Sequence, residues 1–309
     1  MSSQVDAHFK REKLDTFSVK EIIKRMNAED KTVAYAVEKS IEFIESAIIE
    51  IIKVIETGGR LFYIGSGTSG RLGILDASEC PPTFGVDSSL ISGIIAGGEN
   101  AIINAVEGAE DDEENGRNII KEKVTKRDVV VGITASGSTP FVIGGINEAN
   151  KIGALTIGVS CTKNSELSKI VNHPIEIHVG PEIIKGSTRL KSGTAQKMVL
   201  NMVTTTTMIK LGKVYDNLMV NVRASNKKLN DRVFHIVKEI TGQSDEIINE
   251  KLIDAQGDAR IAILILEYNV DYQEADLALK NSGDHFRKAM EFFGKERRWD
   301  LTDIKKGEV

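Results

Sequence analysis

The sequence predicts an α/β fold, a three-layer sandwich around a central parallel sheet, followed by a small all-helical domain. Two observations carry that prediction. Five short, largely apolar runs, Leu61–Ile64, Leu90–Ala96, Asp128–Ile133, Leu155–Ser160 and Ile175–Val179, are separated by segments long enough to be helices. That order is the signature of parallel strands joined by crossovers, and all-apolar stretches such as Val129-Val130-Val131 fit strands buried on both faces. From about Asn230 the strand pattern stops and short helical patterns with clear punctuation take over.

The first strong element runs from about Val33 to Glu56. There Val37, Ile41, Ile44, Ile48, Ile51 or Ile52, and Ile55 recur at alternating four- and three-residue steps, as on one amphipathic helix, closed by Gly58-Gly59. The run Leu61–Ile64 follows and leads straight into Gly65-Ser66-Gly67-Thr68-Ser69-Gly70. Small polar residues after a buried strand leave backbone N–H groups and hydroxyls free to face an anion. The same letters match G-x-G-x-x-G, so a dinucleotide must be weighed against a phosphorylated small molecule. A dinucleotide site wants an acidic residue about 20 positions on, at the end of the second strand. Asp87 precedes that strand and Glu99 comes late after it, while the turn is unusually rich in hydroxyls. A sugar phosphate ranks first.

A second hydroxyl-rich turn, Thr134-Ala135-Ser136-Gly137-Ser138-Thr139-Pro140, follows the run at Val129–Ile133 and places Pro near the start of the next helix. Two such turns at the carboxyl ends of parallel strands can converge on one ligand. A third candidate, Gly186–Thr194, adds Arg189 and Lys191 before a long helix over Ala195–Leu211 that stops at Gly212. None of the three is a P-loop, since G-x-x-x-x-G-K-[ST] is absent. Beyond Asn230, helical patterns end at Gly242, Gly257 and Gly283, and Asp271-Tyr272-Gln273-Glu274 has the spacing of a capping box. The expected organisation is an N-terminal arm over 1–30, a sugar-phosphate-binding domain over 31–228, a small helical domain over 229–294 and a charged tail over 295–309.

Composition excludes several classes. Acidic residues outnumber basic ones, 45 to 40, with no basic stripe, which argues against a nucleic-acid partner. No apolar run approaches a spanning helix and the first residues lack the regions of a signal peptide, so no membrane partner and a cytoplasmic location are expected. Two cysteines, Cys80 and Cys161, cannot form a disulfide framework, and with five scattered histidines no metal site is expected. Cys80 reads as a small buried thiol rather than a nucleophile. His173 and His178, an odd number of residues apart on a strand, should point to opposite faces.

Several blocks carry a resemblance: Asn27–Asp30, Gly65–Pro82 with Leu75-Asp76-Ala77-Ser78-Glu79-Cys80-Pro81-Pro82 at its end, Ile95–Glu99, Ala105–Asp111, Ala135–Gly137 with Thr139-Pro140, and Gly193–Lys197. Over roughly Met26–Asn226 the chain resembles the N-acetylmuramic acid 6-phosphate etherases, a bacterial cell-wall recycling family of the sugar isomerase (SIS) domain superfamily. The resemblance implies an SIS-type sandwich, a homodimer, no cofactor, and a sugar-phosphate substrate whose lactyl ether is cleaved by elimination. It assigns Glu79 as the acid that protonates departing lactate and Glu110 as the base at C2. Ser66, Gly67, Thr68, Ser69, Ser136, Gly137, Ser138, Thr139 and Lys191 are the expected substrate-binding residues. Glu110 is followed by Asp111-Asp112-Glu113-Glu114, a run that on its own reads as a solvated face. The family's opening Thr-Glu-x-x-Asn stretch is absent, with Phe9–Asp15 in its place. Two other readings share the loops: a non-catalytic sugar-phosphate sensor resembling glucokinase regulatory protein, and an aldose–ketose phosphate isomerase.

Overall fold

The computed structural model describes residues 12–222 and 227–294. The expected tail at 295–309 and the start of the N-terminal arm, Phe9–Arg11 included, lie outside the described residues. Five strands, β1 (Leu61–Gly65), β2 (Ile91–Ile95), β3 (Val129–Thr134), β4 (Leu155–Ser160) and β5 (His173–Glu176), form one sheet in the order β2-β1-β3-β4-β5. All four pairings are parallel, with Ile64 opposite both Ile94 and Gly132, and Ile133 opposite Val159.

Every residue of β1 and β3 is buried, because helices cover both faces. Alternation along the strands shows which helix takes which face. On one side Phe62, Ile64 and Val130 share a core with Phe141, Val142 and Ile146 of α6 (Pro140–Ile152) and Ile120 of α5 (Glu113–Lys123). On the other, α3 (Gly67–Phe84) comes so close that a Cβ on Gly73 would sit 2.8 Å from Tyr63 Cβ, and one on Gly93 would sit 2.7 Å from Ile74 Cα. Two short helices, α4 (Asn100–Ile103) and α7 (Glu166–Ile170), lie in the connections after β2 and β4, and the predicted three-layer sandwich with its central parallel sheet is present.

Two boundaries differ from the sequence reading. The expected single helix at Val33–Glu56 is two helices, α1 (Val19–Glu38) and α2 (Ile41–Glu56). The break falls at Lys39-Ser40, where the buried Ser40 hydroxyl donates to the Glu176 carbonyl at 2.8 Å. Restarting there turns Ile41, expected in the apolar stripe, out to 49% exposure. α1 itself begins inside the expected N-terminal arm, with a capping box between Ser18 and Glu21. The fifth strand is also displaced from its apolar run, ending at Glu176. His178 therefore lies beyond β5 and does not share a strand with His173, whose Nδ1 is 3.2 Å from Ser46 Oγ.

The chain clusters into two units, one holding the residues up to Glu79 and Ser88–Thr207, the other Cys80–Asp87 and the chain from Met208 onward. The long helix α8 (Lys191–Lys210) ends near left-handed Gly212, as the sequence indicates. The second unit packs α9 (Lys227–Thr241), α10 (Asp245–Asp254), α11 (Ala259–Tyr268), α12 (Tyr272–Asn281) and a helical stretch over 286–294 around Val237, Ile263, Leu279 and Phe286. The capping box anticipated at Asp271 and Glu274 forms at the start of α12. Among the described residues no helix is long and apolar enough to cross a membrane.

Candidate functional site

The site begins where β1 ends. Ser66 alone separates Gly65 from the first residue of α3, so Gly67-Thr68-Ser69-Gly70 form the opening turn of that helix rather than a free loop. So tight a strand-to-helix junction depends on missing side chains. A Cβ on Gly70 would lie 2.6 Å from Ile95 Cγ1 and 2.7 Å from the Gly65 carbonyl oxygen. The Gly70 amide closes the turn by donating to the Ser66 carbonyl at 3.2 Å, and the amides before it lie at a helix N-terminus, where the positive end of the helix dipole favours an anion.

The second turn is built alike at the end of the neighbouring β3. Thr134 Oγ1 and Thr139 Oγ1 share a hydrogen bond at 2.6 Å, and the Ser138 hydroxyl donates to Ser136 Oγ at 3.2 Å. Gly137 is left-handed at φ 72°, and a Cβ there would run into the Ser165 side chain. Thr139 then leads into α6 with Pro140 at its start, the position where a missing N–H costs nothing.

Because β1 and β3 are adjacent, the two turns meet. They enclose a cavity of about 480 Å³ lined by Ser66, Gly67, Thr68, Ser69, Ser136, Ser138 and Thr139. Glu110 and Asp111 border it from a short 3-10 turn (Ala109–Asp111), and Thr188 borders it from the segment before α8. An adjoining hollow of about 330 Å³ shares Ser66, Gly67 and Glu110. Ser66 borders both hollows, and its hydroxyl is buried without a hydrogen-bond partner, an unsatisfied group of the kind that marks a binding site.

Other candidates stand apart from this cavity. Gly137 belongs to the second turn, packed against Ser165, and is not among the residues that line the cavity. Lys191, the first residue of α8, is 3% exposed in its side chain and its ammonium is held 2.9 Å from the Glu29 carboxylate. The amides of Lys191 and Ser192 donate at 2.9 Å to the two oxygens of buried Glu182, which caps the helix. Glu79 lies exposed further along α3, outside the residues lining either hollow. Cys80 and Cys161 are both buried, and burial pushes the Cys161 thiol up to about 12.

Two residues near the cavity carry no obvious sequence signal. Arg71 donates to the carbonyls of Ile102 and Asn104 at 2.8 and 2.9 Å, holding the chain that leads to Glu110. Gln196 of α8 accepts the Ser69 hydroxyl at 2.9 Å. Both belong to the quoted blocks, yet their partners are distant in sequence.

Comparison with known proteins settles the family. The chain is 50% identical over 278 residues to the N-acetylmuramic acid 6-phosphate etherase of Caldanaerobacter subterraneus subsp. tengcongensis, covering 90% of this chain and 91% of that one. It is 51% identical over 283 residues to the protein of that name from Clostridium acetobutylicum, covering 91% and 94%. The chain belongs to the N-acetylmuramic acid 6-phosphate etherase family. Within that etherase family assignment, residues 104–206 match the SIS domain profile, and residues 43–150 match that of the glucokinase regulatory protein N-terminal SIS domain. Among solved structures, a phosphoheptose isomerase from Francisella tularensis is similar at 16% identity with a TM-score of 0.49, covering 63% of this chain and all of that one.

Proposed function

We propose that this chain is a carbon–oxygen lyase that cleaves the D-lactyl ether of N-acetylmuramic acid 6-phosphate, giving N-acetylglucosamine 6-phosphate and D-lactate. The observation that carries the reading is half-identity, over nine-tenths of the chain, to etherases of that name. The cavity is compatible in its chemistry: hydroxyls and helix N-termini for a phosphate, with a carboxylate at its border.

An ether is a poor target for direct displacement, so the reaction runs by elimination. Opening the sugar ring exposes the C1 aldehyde and acidifies the proton at C2. Glu110 takes that proton, the electron pair becomes the C2–C3 double bond, and the C3–oxygen bond breaks. Glu79 protonates the departing lactate oxygen. Water then adds at C3, and the proton returns to C2. General acid and base supply what the chemistry requires. The same reading places the enzyme in amino-sugar recycling from the cell wall, in the cytoplasm, as a homodimer. A sensor would bind the sugar phosphate without releasing lactate, and an isomerase needs no acid at C3.

The test is incubation with N-acetylmuramic acid 6-phosphate in heavy-oxygen water, with lactate measured. Lactate should appear unlabelled and the label should sit at the sugar C3 hydroxyl, because elimination leaves the ether oxygen with lactate. Label in the lactate hydroxyl would mean cleavage on the other side of that oxygen, and no lactate at all would remove the activity.

A further inference from the structure

Gln196 is 1% exposed, and its carboxamide is used on one side only: Oε1 accepts from the Ser69 hydroxyl at 2.9 Å, while Nε2 is buried without a partner. Ser69 lines the cavity, and its hydroxyl carries a single proton. Donated to Gln196, that proton leaves only lone pairs to face an anion. The arrangement satisfies neither group, because it orphans a buried donor and turns an acceptor toward the place where phosphate would sit.

A carboxamide keeps its shape when it turns over, exchanging oxygen for nitrogen. With the group reversed, Nε2 donates to Ser69 Oγ and the serine proton is free to point into the cavity. Nε2 then has a partner for one of its two N–H groups where it had none, and the wholly unpaired atom is a carbonyl oxygen, which proteins leave unpaired more readily than an N–H. Ser66, three residues before Ser69, has its own hydroxyl buried in the same cavity wall without a partner. The Ser69 hydroxyl would then present its proton to the anion.

We infer that Gln196 is a positioning residue that aims the Ser69 hydroxyl at a bound phosphate, with its amide nitrogen donating to Ser69 Oγ. The inference rests on reading the cavity as the phosphate site. It goes beyond that reading by giving a buried residue on another helix control over which way the hydroxyl donates.

Calorimetric binding of N-acetylglucosamine 6-phosphate and of inorganic phosphate tests it, with melting temperatures recorded alongside. Gln196→Glu keeps the shape and, at a pH where the introduced carboxyl is ionised, offers only acceptors, so it retains the Ser69 proton and should weaken both ligands by about 10- to 100-fold or more, the range for a lost hydrogen bond to a charged group. Gln196→Met removes both functions and should cost less, because the hydroxyl is then free to turn. In a double-mutant cycle, Gln196→Met should add almost nothing once Ser69→Ala has removed the hydroxyl. A purely structural role would instead lower the melting temperature and give additive losses. Additive losses, or Gln196→Glu binding as tightly as wild type, overturn the inference while leaving the phosphate site standing. Should Gln196→Glu fail to fold, the Met cycle decides alone. Wild-type protein that binds neither ligand overturns both readings together.

Discussion

The Arg60 guanidinium clasps the Asp128 carboxylate at both oxygens, Nε to Oδ1 at 3.2 Å and Nη2 to Oδ2 at 2.9 Å, and thereby ties the residue before β1 to the residue before β3. The Arg60 amide and the Thr125 amide and hydroxyl also donate to Asp128, which is 2% exposed. Burial pushes the Asp128 carboxyl up, but these donors together outweigh it and hold it below the usual carboxylate range. Its contribution to stability is therefore present above the unfolded value of about 3.9 and is lost as pH falls through the lower folded value. Asp128→Asn should cost about 3 kcal/mol, the low end for breaking a buried pair, because water can take up the charge of the 37% exposed Arg60 side chain. Urea unfolding at neutral pH and in acid checks this. A variant as stable as wild type at pH 7 would contradict it.

Asp76 behaves with the opposite sign. Burial raises its carboxyl, and the hydrogen bonds from Tyr63 at 2.9 Å and Thr204 at 3.2 Å pull it back only in part. A raised folded value means the folded protein holds the proton more tightly, so the contribution is complete below about 3.9 and is lost as pH rises through the folded value. Asp76→Asn should abolish that decline. Unfolding free energies across the acid range would show a flatter profile for the variant, and an unchanged slope would assign the decline elsewhere.

Much of this was legible in the sequence because the signals are local. An apolar run that ends in glycine and hydroxyls marks both a buried strand and a turn at its carboxyl end, so the first four strands and the turns at Ser66–Ser69 and Ser136–Thr139 appear where expected, while the fifth strand is displaced toward His173. What escaped the reading depends on partners far away in the chain. Ser40 breaks the first long helix while bonding a carbonyl 136 residues on, and Ser69 meets Gln196 across 127 residues. Lys191 is an expected substrate-binding residue by sequence, and its ammonium is bound to Glu29, 162 residues earlier. Periodicity and spacing hold no record of such pairs.

The left-handed turn at Gly137 makes a further prediction. Gly137→Ala would force a side chain into a conformation costing about 1–2 kcal/mol and into the space of Ser165, where overpacking adds about 1–3 kcal/mol. The turn should shift and take Ser136 and Ser138 with it. Affinity for N-acetylglucosamine 6-phosphate should fall more than stability alone would explain, which calorimetry well below the melting temperature can read. Wild-type affinity in a folded variant would detach this turn from the ligand.

Glu79 and Glu110 can be told apart by what survives their removal. If Glu110 takes the C2 proton, Glu110→Gln should stop both lactate release and exchange of that proton with solvent deuterium. If Glu79 protonates the leaving oxygen, Glu79→Ala should suppress lactate release while some C2 exchange persists, since the base remains in place. Each loss should reach about 100- to 10,000-fold, the usual contribution of a general acid or base. Glu110 borders the cavity, whereas Glu79 lies outside its lining. Mass spectrometry of recovered substrate and an assay for lactate measure the two steps separately. Lactate release near the wild-type rate in Glu79→Ala would remove Glu79 from the reaction. Exchange lost together with release in that variant would instead make it part of the base machinery, and the acid would have to be sought among the other carboxylates around the cavity, beginning with Asp111.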